Sequence, residues 1–186
     1  MDNPADPSIL RRMTHDTDVL IVGGGLSGPI LALALAQSGH RVTVIDALTE
    51  KTRKNAAFDG RSYAVALTSQ RLLAGIGIWD AIADNSQPIL EIKVSDGRAG
   101  EGPSPFFMHF DHAEIEEGPM GYMVQDRFIR RALLDAMASH DAITHMSGDT
   151  VIGQAVLPGA VSVSLASGSD LSAKLLVGAD GRSGGT

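Results

Sequence analysis

The pattern Gly23-x-Gly25-x-x-Gly28 sets three glycines where a chain can leave a strand, turn tightly and enter a helix. Each spacing has a physical use: Gly23 permits the turn, Gly25 lets the backbone approach a pyrophosphate, and Gly28 lets helix and strand pack closely. N–H groups left over at the helix start, with the helix dipole behind them, then form an anion cradle that would also engage Ser27. Asp46 follows 18 residues after Gly28, where a carboxylate can accept hydrogen bonds from ribose hydroxyls. These residues predict a dinucleotide site, and the acid disfavours the 2′-phosphate of NADP because the two anions would repel. Competing chemistries fail at Pro29, which stands where a phosphate-binding NTPase loop needs Lys and where a nucleophile elbow at Ser27 needs Gly. His109-x-x-His112, with Asp111 between, has metal-ligand spacing, but solvated loop histidines are the commoner case and no metal is assigned.

Those residues require particular elements beneath them. Asp18-Val19-Leu20-Ile21-Val22 is a continuous apolar, β-branched run, as expected of a strand covered on both faces. Ile30 to Gln37 alternates Leu and Ala and stops at Gly39, predicting a buried helix of about three turns with Pro29 in its first turn. Arg41 to Asp46 is a second strand ending in the acid, so the three elements make the first half-turn of a doubly wound α/β sheet. Further on, the pattern predicts a helix over Thr68 to Ala74 capped by Thr or Ser, and a short helix through Trp79 to Ile82. A strand over Ile89 to Ser95 should turn at Asp96-Gly97, with others at Phe106 to Phe110 and Tyr122 to Val124. Asp126 should cap a helix from Arg127 to Ser139 with Phe128, Ala132, Leu133 and Met137 on one face. Strands near 150–156, 160–166 and 171–178 form a β-meander.

Composition bounds the class. With 186 residues, 44% apolar and a net charge of −7, the chain is globular in type, and it is long enough to bury a core of ordinary size. A negative chain without a basic cluster makes nucleic acid an unlikely partner by charge alone. Absence of cysteine removes disulfides, Fe–S clusters and thiolate nucleophiles. Residues 1–17 read as a disordered leader with no secretory signal, which places the protein in the cytoplasm. The 21 uncharged positions from Val19 to Gly39 are interrupted by glycines and Pro29, and therefore read as strand, turn and helix rather than a membrane span. Between Asp80 and Asp126 ten acids face only Lys93 and Arg98, a solvated face or a dock for a basic partner.

A second motif, Gly178-Ala179-Asp180-Gly181-Arg182-Ser183, follows the apolar run Leu175 to Val177. With it, the run from Asp18 to Ser183 resembles the FAD-binding half of the class A flavoprotein aromatic hydroxylases, in particular the ubiquinone-biosynthesis, 2-polyprenyl-6-methoxyphenol hydroxylase branch. Asp59-Gly60-Arg61-Ser62-Tyr63 is similar to that branch's arginine motif, Ile92 to Asp96 to its next strand, and Gly121-Tyr122-Met123-Val124-Gln125-Asp126-Arg127 to the strand and helix start near the flavin. The resemblance implies a Rossmann-like FAD-binding domain over 18–186, built on a parallel sheet with a β-meander, in which 88–125 is part of a substrate-domain insertion. It assigns Gly23, Gly25, Ser27 and Gly28 to the FAD pyrophosphate and Asp46 to the adenosine ribose. Arg61 goes to the pyrophosphate or flavin and Gln125 to the flavin side. Asp180 and Gly181 form the Asp-Gly motif shared by FAD and the nicotinamide donor.

The implied activity is an FAD-dependent NAD(P)H monooxygenase that uses dioxygen on a polyprenylated phenol. Asp46 stands where the family more often has Glu, and Gly184 where it usually has Ser. Members are roughly twice this long, so the chain reads as an incomplete, inactive fragment. The resemblance also leaves room for protein partners and for peripheral membrane association through the remaining half. The residues alone leave two alternatives: a non-catalytic nucleotide-binding or interaction module, and a fragment of an NAD-dependent dehydrogenase.

Overall fold

A computed structural model of the protein describes residues 15–114, 116–182 and 184–185. In chain order the elements are β1 (Val19–Val22), α1 (Ser27–Gln37), β2 (Val42–Asp46), α2 (Glu50–Arg53), β3 (Ser62–Ala66), α3 (Leu67–Gly75), β4 (Ser86–Ile89), β5 (Glu91–Arg98), β6 (Gly102–Asp111), β7 (Gly121–Gln125), α4 (Asp126–Ala138), β8 (Ile143–Ser147), β9 (Val151–Leu157), β10 (Ala160–Leu165), β11 (Asp170–Ala173) and β12 (Leu175–Gly178). They cluster into two units: the chain up to Thr49 together with His140 onward, and the intervening Glu50–Ser139. The 88–125 stretch lies wholly inside the second unit.

The first unit is built on a parallel sheet of order β12-β1-β2-β8. All four residues of β1 and all five of β2 are buried, as the unbroken β-branched runs require of strands with neighbours on both edges and cover on both faces. Strands β9, β10 and β11 form the antiparallel meander. Its inward side chains Val161, Val163, Leu165 and Ala173 pack on Leu20 and Ile45 of the parallel sheet. A fully buried Val, Leu or Ile side chain is worth about 1.5–3 kcal/mol, and an alanine methyl about 0.8 kcal/mol. The expected final strand over 171–178 is two strands. Ala173 pairs with β10 and Leu175 with β1, and only Lys174 separates them.

Strand β8 carries no strong signal in the sequence. Its Ile-Thr-His-Met-Ser run is polar and only partly buried, and its place comes from pairing with β2. Of the expected 1–17 leader, residues 1–14 lie outside the described residues, as does Ser183 of the Asp-Gly segment. Thr17 is buried, with its Oγ1 donating to the Arg41 carbonyl at 2.7 Å, and the Ser172 N–H and hydroxyl donate to the Asp16 carboxylate at 2.7 and 2.9 Å. The packed chain therefore begins before Asp18.

The second unit holds an antiparallel sheet of order β3-β7-β4 and the β5–β6 hairpin. Asp96 and Gly97 lie within β5 rather than at its turn, because the register shifts between Ser95 and Gly97 and lets the strand run on to Arg98. Helix α3 has Ala66 at its N-cap and no side-chain cap, in place of the expected Thr or Ser. Helix α4 starts at Asp126 itself, with Gln125 as N-cap. Its buried stripe is Ile129, Leu133, Leu134 and Met137. Phe128, expected on that face, lies instead under the Arg127 guanidinium, 4.8 Å from the ring centre. Of the ten acids between Asp80 and Asp126, only Asp126 is buried. Among the described residues no helix is long and apolar enough to cross a membrane.

Candidate functional site

In the first unit the carboxyl ends of three adjacent parallel strands, β12, β1 and β2, carry the two predicted motifs. Gly23 leaves β1 with φ +118°, a conformation that L side chains rarely adopt, and its N–H donates to the Ile45 carbonyl at 2.8 Å. A Cβ there would strike the Ala179 carbonyl, so the first glycine turn and the Asp-Gly segment touch. A Cβ at Gly28 would strike the Gly23 carbonyl, which is how closely α1 approaches the turn. Around Gly25, by contrast, a Cβ would meet nothing within 4 Å. The middle glycine faces open space, flanked by two glycines that are pressed against backbone.

Helix α1 begins at Ser27, three residues earlier than its apolar pattern, and Leu26 at the N-cap supplies no side-chain hydrogen bond. The first N–H groups of a helix lack intrahelical acceptors, and Pro29 has none to offer, so the Ser27 and Gly28 amides are the donors of this terminus. Ser27 is exposed and Gly28 buried. Positive partial charge at the start of an eleven-residue helix favours an anion in front of it. An open glycine, an uncapped helix start and a neighbouring acid fit the diphosphate and ribose of a dinucleotide such as FAD.

Asp46 closes this edge at the end of β2 and is 2% exposed. Its Oδ1 accepts the Leu48 N–H at 3.1 Å, and its main-chain carbonyl accepts from Gly148 at 2.7 Å and Asp149 at 3.1 Å. Gly24, which the spacing argument passed over, is required here because a Cβ would fall on the Asp46 carboxylate. The run of three consecutive glycines was its only signal. Gly181 takes φ +82°, and the Asp180 carboxylate occupies the space a Gly184 side chain would need. The structure thus brings Gly23, Gly25, Ser27, Gly28, Asp46, Asp180 and Gly181 to one end of one sheet.

Arg61 and Gln125 belong to the second unit. Ser62 pairs with Gln125 across β3 and β7, and just beyond, the Asp126 N–H donates to the Arg61 carbonyl at 3.1 Å. The exposed Arg61 guanidinium donates from Nε to Asp59 Oδ2 at 2.9 Å and from Nη2 to Asp126 Oδ2 at 3.3 Å. Hydrogen bonding to Asp59, then the charge of Asp126, raises the guanidinium further above its ordinary value, and Arg61 in turn lowers Asp59. Tyr63 donates to Asp126 Oδ1 at 3.1 Å; burial, then the Asp126 charge, pushes its phenol up. Gln125 Oε1 accepts from Arg127 Nε at 2.8 Å. Sequence reasoning treated Asp126 as a helix cap, and nothing in the local pattern announces that three side chains converge on it. His109 shares the exposed hairpin with Glu91 and Asp111, their donor atoms within 4.8 Å of one another, and the Lys93 ammonium lies 2.7 Å from Glu91.

A parallel sheet with a glycine turn and an acid at its carboxyl edge defines a dinucleotide-binding protein. The chain belongs to the FAD binding domain family, which matches residues 16–186. It is 46% identical over 165 residues to the ubiquinone hydroxylase UbiL of Rhodospirillum rubrum, covering 89% of this chain and 37% of that protein. It is 33% identical over 167 residues to the 3-demethoxyubiquinol 3-hydroxylase of Escherichia coli, covering 89% and 41%. The crystal structure of pqsL, a probable FAD-dependent monooxygenase from Pseudomonas aeruginosa, shares the fold with a TM-score of 0.71 at 20% identity, over 90% of this chain and 43% of that one. The chain spans well under half the length of these relatives.

Proposed function

We propose that this chain is the FAD-binding portion of a flavin monooxygenase that hydroxylates an electron-rich, polyprenylated phenol in ubiquinone biosynthesis, with NAD(P)H as electron donor. The open space at Gly25, between the left-handed turn at Gly23 and the uncapped start of α1, carries the cofactor reading. Similarity to two ubiquinone-pathway hydroxylases supports the reaction class. When bound, FAD would supply the redox chemistry, accepting a hydride from the nicotinamide and activating dioxygen, one atom of which would enter the ring and the other leave as water.

The chain's own residues bind and orient. The Gly23, Gly25, Ser27 and Gly28 segment holds the diphosphate on main-chain donors, and Asp46 accepts from the adenosine ribose. Asp180 and Gly181 form the opposite wall of the turn, and Arg61 supplies a guanidinium whose fork matches phosphate oxygens. Gln125 would contact the flavin side, and because its oxygen is committed to Arg127 the group it has left to offer is the amide N–H pair.

The test is a calorimetric titration of FAD into the intact protein and its Gly25→Val variant. A branched side chain in the cradle should weaken FAD by at least about a hundredfold, the scale of a lost anion contact plus a steric clash. Equal affinity for the two proteins would refute the cradle. Tight NAD binding with no flavin binding would replace the monooxygenase reading with a dehydrogenase. Phenol-dependent NAD(P)H oxidation by the intact protein tests the reaction itself.

A further inference from the structure

Asp126 is 3% exposed, and three side-chain donors reach its carboxylate. Arg61 Nη2 and Arg130 Nη2 lie 3.3 and 3.2 Å from Oδ2, and the Tyr63 hydroxyl lies 3.1 Å from Oδ1. Its own N–H donates to the Arg61 carbonyl at 3.1 Å. Arg61 immediately precedes β3 and Asp126 immediately follows β7, so the two residues continue the Ser62–Gln125 ladder by one step and are joined through main chain and side chain alike. Helix α4 also holds the loop before Arg61. Arg130 Nη2 donates to the Asn55 carbonyl at 3.2 Å and Arg127 Nη1 to the Ala56 carbonyl at 3.3 Å, with the Arg127 guanidinium 5.7 Å above the Phe58 ring.

We propose that Asp126 is a positioning residue, a buried anchor that fixes the direction of the Arg61 guanidinium before FAD arrives; this rests on the assignment of Arg61 to the cofactor. A long arginine side chain on a loop loses rotamer freedom when it binds, and a contact that orders it beforehand removes that cost from the binding step. Asp59 also bonds Arg61, through both Nε and Nη2, but it does so from the exposed side, where an ion pair contributes little. Asp126 holds it from the protein side, and because Arg130 shares the same oxygen, holding Arg61 does not spend the whole carboxylate charge on it. An asparagine at this position can keep its amide oxygen on the two guanidiniums and its N–H pair on the Tyr63 hydroxyl, which can accept, but it removes the charge that makes the arginine contacts strong and so loosens the hold on Arg61.

The experiment titrates FAD into the intact apoprotein, following flavin fluorescence, for the wild type, Asp126→Asn, Arg61→Gln and the double variant. Asp126→Asn should weaken FAD by about tenfold, and Arg61→Gln by more. In the Arg61→Gln background Asp126→Asn should add nothing, the signature of a residue that acts through another. An unchanged affinity for Asp126→Asn, or the same weakening in both backgrounds, overturns the proposal. Arg61→Lys keeps the charge at an exposed position without the fork, and leaves the buried carboxylate in place. It should lose nearly as much affinity as Arg61→Gln, and wild-type affinity in Arg61→Lys overturns the proposal even if the Asp126 variant does not fold. Wild-type affinity in Arg61→Gln shows instead that Arg61 does not meet FAD, whatever Asp126 does.

Discussion

Gly24 in the first unit and Gln125 in the second are each constrained by one neighbour, and substitutions there separate fit from chemistry. Gly24 abuts the Asp46 carboxylate so closely that no methyl group fits. Gly24→Ala is expected to cost about 1–3 kcal/mol, the usual penalty for overpacking, and to weaken FAD together with it. A urea melt with an unchanged midpoint would show that Asp46 can move aside. Gln125 presents the opposite case. Arg127 Nε can only donate, so the amide oxygen must face it and the N–H pair is what remains. Gln125→Glu keeps the Arg127 contact, as an ion pair, and removes the donors. FAD affinity should fall several-fold, on the scale of about 1 kcal/mol per hydrogen bond, while the melting temperature holds or rises. Glycine positions of this kind are legible in a sequence because a tight turn excludes every other residue type. Asp126 was not, since an Asp at a helix start suits a cap or a first turn equally well. Only the neighbours Tyr63 and Arg130, remote in sequence or on the next turn, decide which it is.

At the level of elements, the amino end of β1 depends on one acid. Asp18 Oδ1 accepts from Lys174 Nζ at 2.9 Å and Oδ2 from the Arg41 N–H at 2.9 Å, so it ties β1 to the approaches of both β12 and β2. The Lys174 hydrogen bond first, then the Arg41 amide, lowers its pKa from 3.8 to about 2. A carboxyl whose folded value lies below its unfolded one stabilises the protein above the unfolded value, and that contribution fades as pH falls from 3.8 toward about 2. Asp18→Asn should therefore flatten the loss of stability across that window and lower stability at neutral pH. Identical acid-denaturation curves for the two proteins would sink this account. The elements around the glycine turn were readable because β1 and β2 are buried on both faces and are made mostly of β-branched and other apolar residues. Strand β8 was not readable, because an exposed Thr beside half-buried His and Met residues serves a loop equally well and only the β2 edge makes them a strand.

Across the whole molecule, the first unit is assembled from two stretches of chain separated by the 90 residues of the second, Glu50–Ser139. Strand β1 meets β2 early but meets β12 only after that excursion, a non-local pairing of the kind that slows folding. The β5–β6 hairpin of the second unit carries a row of exposed apolar side chains, with Phe106 at 86% the most open of its aromatics. Phe106→Ser should change stability by less than about 0.5 kcal/mol and reduce binding of a hydrophobic dye. A drop of several degrees in melting temperature would show that this face is covered in solution. The joint at Lys174 sets a different kind of constraint. One residue separates the last antiparallel strand of the meander from the parallel strand that delivers Asp180, so the two sheets are locked in phase. Inserting a residue at that joint would swap the inward and outward side chains of Leu175–Gly178 or slide the Asp-Gly turn by about 3.3 Å. The meander thus works as a ruler that meters how far the Asp180–Gly181 wall of the cradle reaches past Gly23.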